Sequence, residues 1–244
     1  MQITGRGMVA RSLQPYAQQF PDVVAFAGGV ANSTLQNDAG YNREYSLLRD
    51  QLDVCREAGK LLIYFSSAGA IYGSLSGIRD ENSTTQPVSR YGQHKMACET
   101  LIRSSGARYL IVRLANLVGF SQNSAQLLPV LTEQVKSGQV TLQKHATRDI
   151  MDVDDFAMIL TQLLPVIPDN QTIIIASGIS VPVSQLVESI QDALGLTAAI
   201  EYLNSGEPQE FSIARLQSLL PSVSFPPDYY QNVIRKYLTV NIPK

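Results

Sequence analysis

The chain has 244 residues, a formal net charge of -2 and 45% apolar residues, enough to bury a core as one large domain or one and a half. That charge leaves no basic footprint for nucleic acid, and no apolar run suits a membrane span or a leader segment. The expectation is a soluble, cytoplasmic protein with neither nucleic acid nor membrane as partner. Cys55 and Cys98 lack the spacing of a metal or disulfide framework and read as buried free thiols.

Periodicity and punctuation predict alternating strands and helices. A very short strand at 2–4 runs into Gly5-Arg6-Gly7 and a helix through about Phe20. A strand at 22–27 breaks at Gly28-Gly29, and a polar loop from Asn32 to Gly40 leads to a helix at 42–58. A strand at 61–66, a loop through Gly73 and a polar stretch at 80–88 precede a helix over 90–105. A strand at 109–112 then leads to Arg113-Leu-Ala-Asn116. Beyond it come a helix at 125–137, a strand at 140–142, a helix at 154–165, a strand at 172–176 and a helix at 183–194. The last elements are a strand near 199–202 and helices near 212–219 and 227–238. This alternation implies an α/β fold, a parallel sheet with helices on both faces.

Tyr91 and Lys95 lie four residues apart, on one face if 90–105 is helical. An ammonium beside a phenol favours the ionised form and lowers a pKa that starts near about 10. Such a tyrosine can exchange a proton with a carbinol or carbonyl oxygen, and a serine hydroxyl at the end of the 61–66 strand can hold that oxygen. By itself the pair is also what an ordinary amphipathic helix carries by chance. His94, between the two, is expected to face solvent or a dimer surface. The acidic run Asp149, Asp152, Asp154 and Asp155 is explained by a helix N-terminus, and no metal site is expected.

Four segments together resemble the extended short-chain dehydrogenase/reductase family, in its nucleotide-sugar, NAD-dependent epimerase/dehydratase branch. They are the turn Gly5-Arg6-Gly7-Met8-Val9-Ala10; Phe65-Ser66-Ser67-Ala68-Gly69-Ala70-Ile71-Tyr72-Gly73; Tyr91 to Lys95 with Glu99 behind; and Arg113 to Gly119 followed by Arg148 to Asp155. The glycine turn and Gly28-Gly29-Val30-Ala31-Asn32-Ser33 are most similar to the GDP-fucose synthase type, and the short chain to compact 4-keto-sugar reductases. The resemblance implies Tyr91 as general acid, Lys95 on the nicotinamide ribose and Ser67 on the substrate oxygen. The family usually places that hydroxyl one residue on, where this chain has Ala68; Ser67 at the strand end is preferred. Gly5, Arg6, Gly7, Met8, Val9, Ala27, Gly28 and Lys95 are the expected cofactor contacts, the glycines admitting a pyrophosphate to a helix N-terminus. Arg6 can reach a 2′-phosphate, which favours NADP(H) over NAD(H). Asn116 and Arg148 match residues that hold the sugar and its diphosphate.

Absences narrow the chemistry. Relatives that eliminate water carry an acidic pair where this chain has Gly69 and Ala70. Those that epimerise at C3 and C5 carry a cysteine and a histidine where this chain has Ala70 and about Ser121, leaving no opposed acid and base. Only one strand separates the glycine turn from the Ser66 strand, where an ordinary dinucleotide half-domain has three. The 22–27 strand matches the family's fourth, so the second and third are deleted and the sheet is truncated at the adenosine side.

The resemblance therefore implies a Rossmann-like domain over 1–119 and 147–179, with a small α+β substrate subdomain over 120–146 and 180–244. The leading expectation is NAD(P)H-dependent reduction of a nucleotide-linked keto sugar or related carbonyl by Tyr91, Lys95 and Ser67. A nucleotide-sugar 4-epimerase and a degenerate relative without dinucleotide, in a non-redox, binding or assembly role, remain open. The family default is a homodimer through the 42–58 and 90–105 helices.

Overall fold

A computed structural model describes residues 1–30, 38–73, 77–120 and 123–241; Ala31, Asn32, Ser33 and Ser121, invoked above, lie outside them. Strand β1 (Gln2–Thr4) is followed by helix α1 (Met8–Leu13), a 3-10 segment (Gln14–Gln19) and β2 (Val23–Phe26). Helix α2 (Asp38–Ala58), β3 (Leu61–Ser67), the short α3 (Ala68–Tyr72), α4 (Arg90–Ser104), β4 (Arg108–Leu114) and β5 (Asn116–Val118) complete the first half. Then come α5 (Leu127–Ser137), β6 (Gln139–Gln143), β7 (Thr147–Arg148), β8 (Ile150–Asp152), α6 (Val153–Leu163) and β9 (Gln171–Ile175). The chain continues through β10 (Val181–Pro182), α7 (Val183–Leu194), β11 (Ala199–Leu203), α8 (Ala214–Leu219) and α9 (Tyr229–Asn241).

The main sheet has the order β1-β2-β3-β4-β9 and every pairing in it is parallel. β1 pairs directly with β2, Gln2 opposite Val24. The two strands that a full dinucleotide half-domain would add beside β1 are absent among the described residues, and β1 is an edge. Three residues make a poor template for unwanted pairing.

Strands buried on both faces need apolar residues at successive positions, and β2 and β3 supply them. Val24, Phe26, Leu62 and Tyr64 pack with Leu48, Leu52, Cys55, Cys98 and Ile102 of α2 and α4. Val23, Ala25, Leu61, Ile63 and Phe65 face the other way, onto a core with Leu13 of α1 and Phe156 of α6. A further core joins Leu128, Leu131 and Val135 of α5 to Leu186, Val187 and Ile190 of α7 and Val233, Ile234 and Leu238 of α9. Beside it β6 and β11 form a parallel pair. Each large side chain so buried contributes about 1.5–3 kcal/mol. No helix among the described residues is long and apolar enough to cross a membrane.

The helix expected through Phe20 instead tightens into 3-10 turns after Leu13, because Pro15 cannot donate to an α-helical ladder. β5, β7, β8 and β10 have two or three residues each, too few to carry a readable period.

Candidate active site

The C-terminal ends of four parallel strands open onto one cleft of about 410 Å³, a size suited to a small organic ligand. At the end of β1, Gly5 has φ +124°, and a Cβ there would collide with the Ala27 carbonyl and the Gly28 nitrogen. The turn closes on the next strand through an Ala27 N–H donating to the Thr4 carbonyl at 2.7 Å. Gly7 caps α1 without a side-chain hydrogen bond, so the first helical N–H groups remain available to a ligand. Met8, Val9 and Ala27 line the cleft. Arg6 is exposed at the turn.

At the end of β3, Ser67 lines the cleft and caps α3, its Oγ accepting from the Ala70 N–H at 3.4 Å. Ala68 is fully buried against Ile174 and Ala176. A hydroxyl at Ser67 therefore faces the cleft, whereas one at position 68 would not.

Helix α4 begins at a Ser89 cap whose Oγ accepts from the Gly92 N–H at 3.0 Å, and its first turn brings Tyr91 and Lys95 to the same cleft. The Lys95 Nζ lies 5.6 Å from the Tyr91 ring centroid. Lys95 is buried and donates to Glu44 Oε1 at 2.8 Å, the Tyr64 hydroxyl at 3.2 Å and the Phe65 carbonyl at 3.4 Å.

Glu44 is the hub of this wall. It is 2% exposed and accepts from the Val30 N–H at 2.6 Å and from the Tyr64 hydroxyl at 2.9 Å. His94 Nε2 stands 3.0 Å from its other oxygen. Burial opposes the carboxylate, but Lys95, His94 and the Val30 N–H together hold its pKa far below the ordinary range. On Lys95 burial opposes the charge as well, and Tyr91 and Glu44 raise its pKa.

Two expectations are corrected here. The Tyr91 pKa is raised, not lowered: burial pushes it up, Lys95 pulls it down, Glu44 pushes it up again and a hydrogen bond with Ser67 pulls it down. Burial outweighs the ammonium, and Glu44 offsets part of the Lys95 charge; neither is visible in the four-residue spacing. His94 does not face solvent; it is packed on the Tyr41 ring at 4.7 Å between centroids and turned to Glu44. Glu44, His94 and Cys98 form the one group of potential metal ligands among the described residues. The Lys95 ammonium on Glu44 already supplies a cation there.

Glu44 carried a legible signal that the sequence reading passed over. Tyr41, Glu44, Leu48, Leu52 and Cys55 recur at helical spacing and are all buried, so a carboxylate stands on the apolar stripe of α2. A charge in that position needs a partner.

Asn116 and Arg148 line the same cleft. The Asn116 side chain donates to the Asp149 carbonyl at 2.9 Å, leaving its carbonyl oxygen toward other partners. Arg148 donates to the Thr147 and Glu207 carbonyls and has no carboxylate partner among the described residues. Burial lowers its pKa. Asp149 turns away from it, accepting from the Ser177 N–H and hydroxyl and the Gly178 N–H; burial pushes the Asp149 pKa up to about 6. Asp152 caps α6, accepting from the Asp154 and Asp155 N–H groups.

A Rossmann-like sheet with a serine, a tyrosine and a lysine at one wall defines a short-chain dehydrogenase/reductase. The chain belongs to the NAD dependent epimerase/dehydratase family, whose model matches residues 4–176. It is 29% identical over 150 residues to GDP-6-deoxy-D-talose 4-dehydrogenase from Aggregatibacter actinomycetemcomitans, covering 59% of this chain and 50% of that one. It is 33% identical over 92 residues to UDP-glucose 4-epimerase from Azospirillum brasilense, 35% of this chain and 26% of that one. The chain thus spans half or less of the length of these two relatives. Among solved structures, RMD from Pseudomonas aeruginosa complexed with NADPH superimposes with a TM-score of 0.82 at 19% identity, covering 98% of this chain and 97% of that one. UDP-glucose 4-epimerase from Thermotoga maritima, with UDP-glucose, gives 0.75 at 19% identity, covering 96% and 82%. At such identities the likeness is one of fold.

Proposed function

We propose that the chain reduces a nucleotide-linked keto sugar, or a related carbonyl, with a nicotinamide dinucleotide as hydride source. The observation that carries this reading is the convergence of Tyr91, Ser67 and Lys95 on one cleft that is also lined by Arg148, which has no carboxylate partner among the described residues. A guanidinium so placed suits a diphosphate. The residues fit the dinucleotide at its nicotinamide and diphosphate end, where the Gly5 turn admits no Cβ; among the described residues no strand lies beyond β1 to floor the adenosine. A bound reduced nicotinamide supplies hydride to the carbonyl carbon. Tyr91 gives its phenolic proton to the carbonyl oxygen, and Ser67 holds that oxygen by a hydrogen bond. Lys95 orients the nicotinamide ribose on releasing its longest hydrogen bond, to Phe65. Gly5, Arg6, Gly7, Met8, Val9, Ala27 and Gly28 hold the diphosphate side, with Arg6 favouring NADP(H). Asn116 and Arg148 hold the sugar nucleotide.

In this reading 1–119 and 147–179 carry the dinucleotide and 120–146 and 180–244 the sugar. The chain pairs as a homodimer through α2 and α4, where Tyr45, Leu47 and Val54 are exposed. A nucleotide-sugar 4-epimerase draws on the same Tyr91, Lys95 and Ser67, and one curated relative bears that name. Weak retention of cofactor at an unfloored adenosine end favours the reductase, which must exchange its cofactor at each turnover.

Calorimetric titration with NADPH, NADH and nucleotide diphosphates tests the reading. Micromolar NADPH binding is expected. Silence to both dinucleotides with a nucleotide diphosphate still bound would remove redox chemistry and leave a binding or non-redox role.

A further inference from the structure

We propose that Glu44 sets the resting protonation state of Tyr91: by pairing with Lys95 it offsets part of the ammonium's charge and favours the protonated phenol, the form from which carbonyl reduction starts. The inference rests on the Tyr91 reading above and deepens it. Glu44 is a positioning residue, acting through Lys95.

The geometry is a closed set of hydrogen bonds. An ammonium has three N–H donors, and Lys95 directs all three into the protein, to Glu44, Tyr64 and Phe65. The Tyr64 hydroxyl spends its own proton on Glu44, so it meets Lys95 as an acceptor. Gly29 lies against the pair: a Cβ there would stand 2.7 Å from Glu44 Oε1 and 3.0 Å from Lys95 Nζ. The backbone thus presses on an ion pair of zero net charge. Other groups facing it are His94 and Cys98 from α4, Tyr41 from α2 and Tyr64 from β3. Arg148 also lines the cleft. A phenolate at Tyr91 would therefore form in a half-buried position beside an ammonium whose charge Glu44 partly offsets.

Reduction needs only the acid. The Tyr91 O–H bond breaks and a new O–H bond forms on the carbonyl oxygen, while the carbon takes hydride from the reduced nicotinamide. Water then returns a proton to the phenolate. A 4-epimerase must first remove a proton from a carbinol, which needs the phenolate at rest. Glu44 thus biases the resting site toward the form that reduction starts from and away from the phenolate that carbinol oxidation starts from.

The test is ultraviolet titration of tyrosinate in the protein alone, with Tyr91 isolated as the difference between each protein and its Tyr91→Phe counterpart. In the wild type Tyr91 should ionise at or above the ordinary tyrosine value of about 10. Glu44→Gln should lower that midpoint by about one unit or more, and Glu44→Asp, which keeps the charge, should restore it. An unchanged midpoint in Glu44→Gln, or equal shifts in both variants, would overturn the inference. If Glu44→Gln does not fold, by circular dichroism, the wild type still decides: a Tyr91 midpoint well below about 10 overturns it. No dinucleotide or substrate enters this measurement. A protein that titrates as expected yet binds no dinucleotide would sink the reductase reading and leave the electrostatics standing. Reductase activity with a low Tyr91 midpoint would do the reverse.

Discussion

The two ends of the cleft are built on different terms. Around Lys95, Glu44 and Tyr64 form a buried, hydrogen-bonded cluster between two helices and a strand, with Tyr91 half-buried beside it. In the turn that follows the three-residue edge strand β1, Gly5, Arg6 and Gly7 are exposed. Groups that must act on a reacting atom are held rigidly, whereas groups that only add affinity can be shed.

The comparison can be broken most sharply at Tyr91. Tyr91→Phe should lower turnover by roughly 10²–10⁴ with cofactor affinity and circular dichroism unchanged; steady-state rates at saturating cofactor decide it. Lys95→Met should cost about 3–5 kcal/mol of stability, because it strands the Glu44 carboxylate in the core, as read by urea unfolding. The linked pH dependence has a definite sign. The folded-state pKa of Glu44 is depressed, so its contribution is present above the unfolded carboxylate value of about 4.3 and is lost as pH falls below it. Glu44→Gln should flatten that acid limb.

On the substrate side, Arg148→Met should raise KM for a nucleotide sugar by about 10–100-fold through loss of charged hydrogen bonds, with kcat little changed. Arg6→Ala, at the exposed end, should weaken NADPH by less than about tenfold, as exposed ion pairs contribute little, and NADH hardly at all. A large Arg6 effect on both dinucleotides would mean that the adenosine end is better built than its exposure suggests.

Much of this arrangement could be read in advance. The strand–helix alternation and the missing pair of strands followed from Gly28-Gly29 standing where the family's fourth strand ends, and β1 does pair directly with β2. Tyr91, Lys95 and Ser67 were found by their segments, and the structure brings all three to one cleft. The sign of the Tyr91 shift does not show in the Tyr91–Lys95 spacing because burial, its largest cause, and the Glu44 carboxylate from α2 both arise only once the helices pack. His94 was misplaced for the same reason: its helical face looks polar until α2 covers it. The two- and three-residue strands beyond residue 115 carry no period and exist only because longer elements hold them together.

The last helix governs how the molecule is made. Its Tyr229 hydroxyl donates to Asp155 at 2.6 Å and accepts from the Asp152 N–H at 3.1 Å, and Lys236 reaches Asp152 at 2.7 Å. During synthesis the sheet can assemble as its strands emerge, since each pairs with a neighbour already made or soon to follow. The core between α5 and α7 cannot close until α9 has left the ribosome. Until then Leu131, Val135, Leu186 and Ile190 stay open to solvent, to chaperones and to proteases.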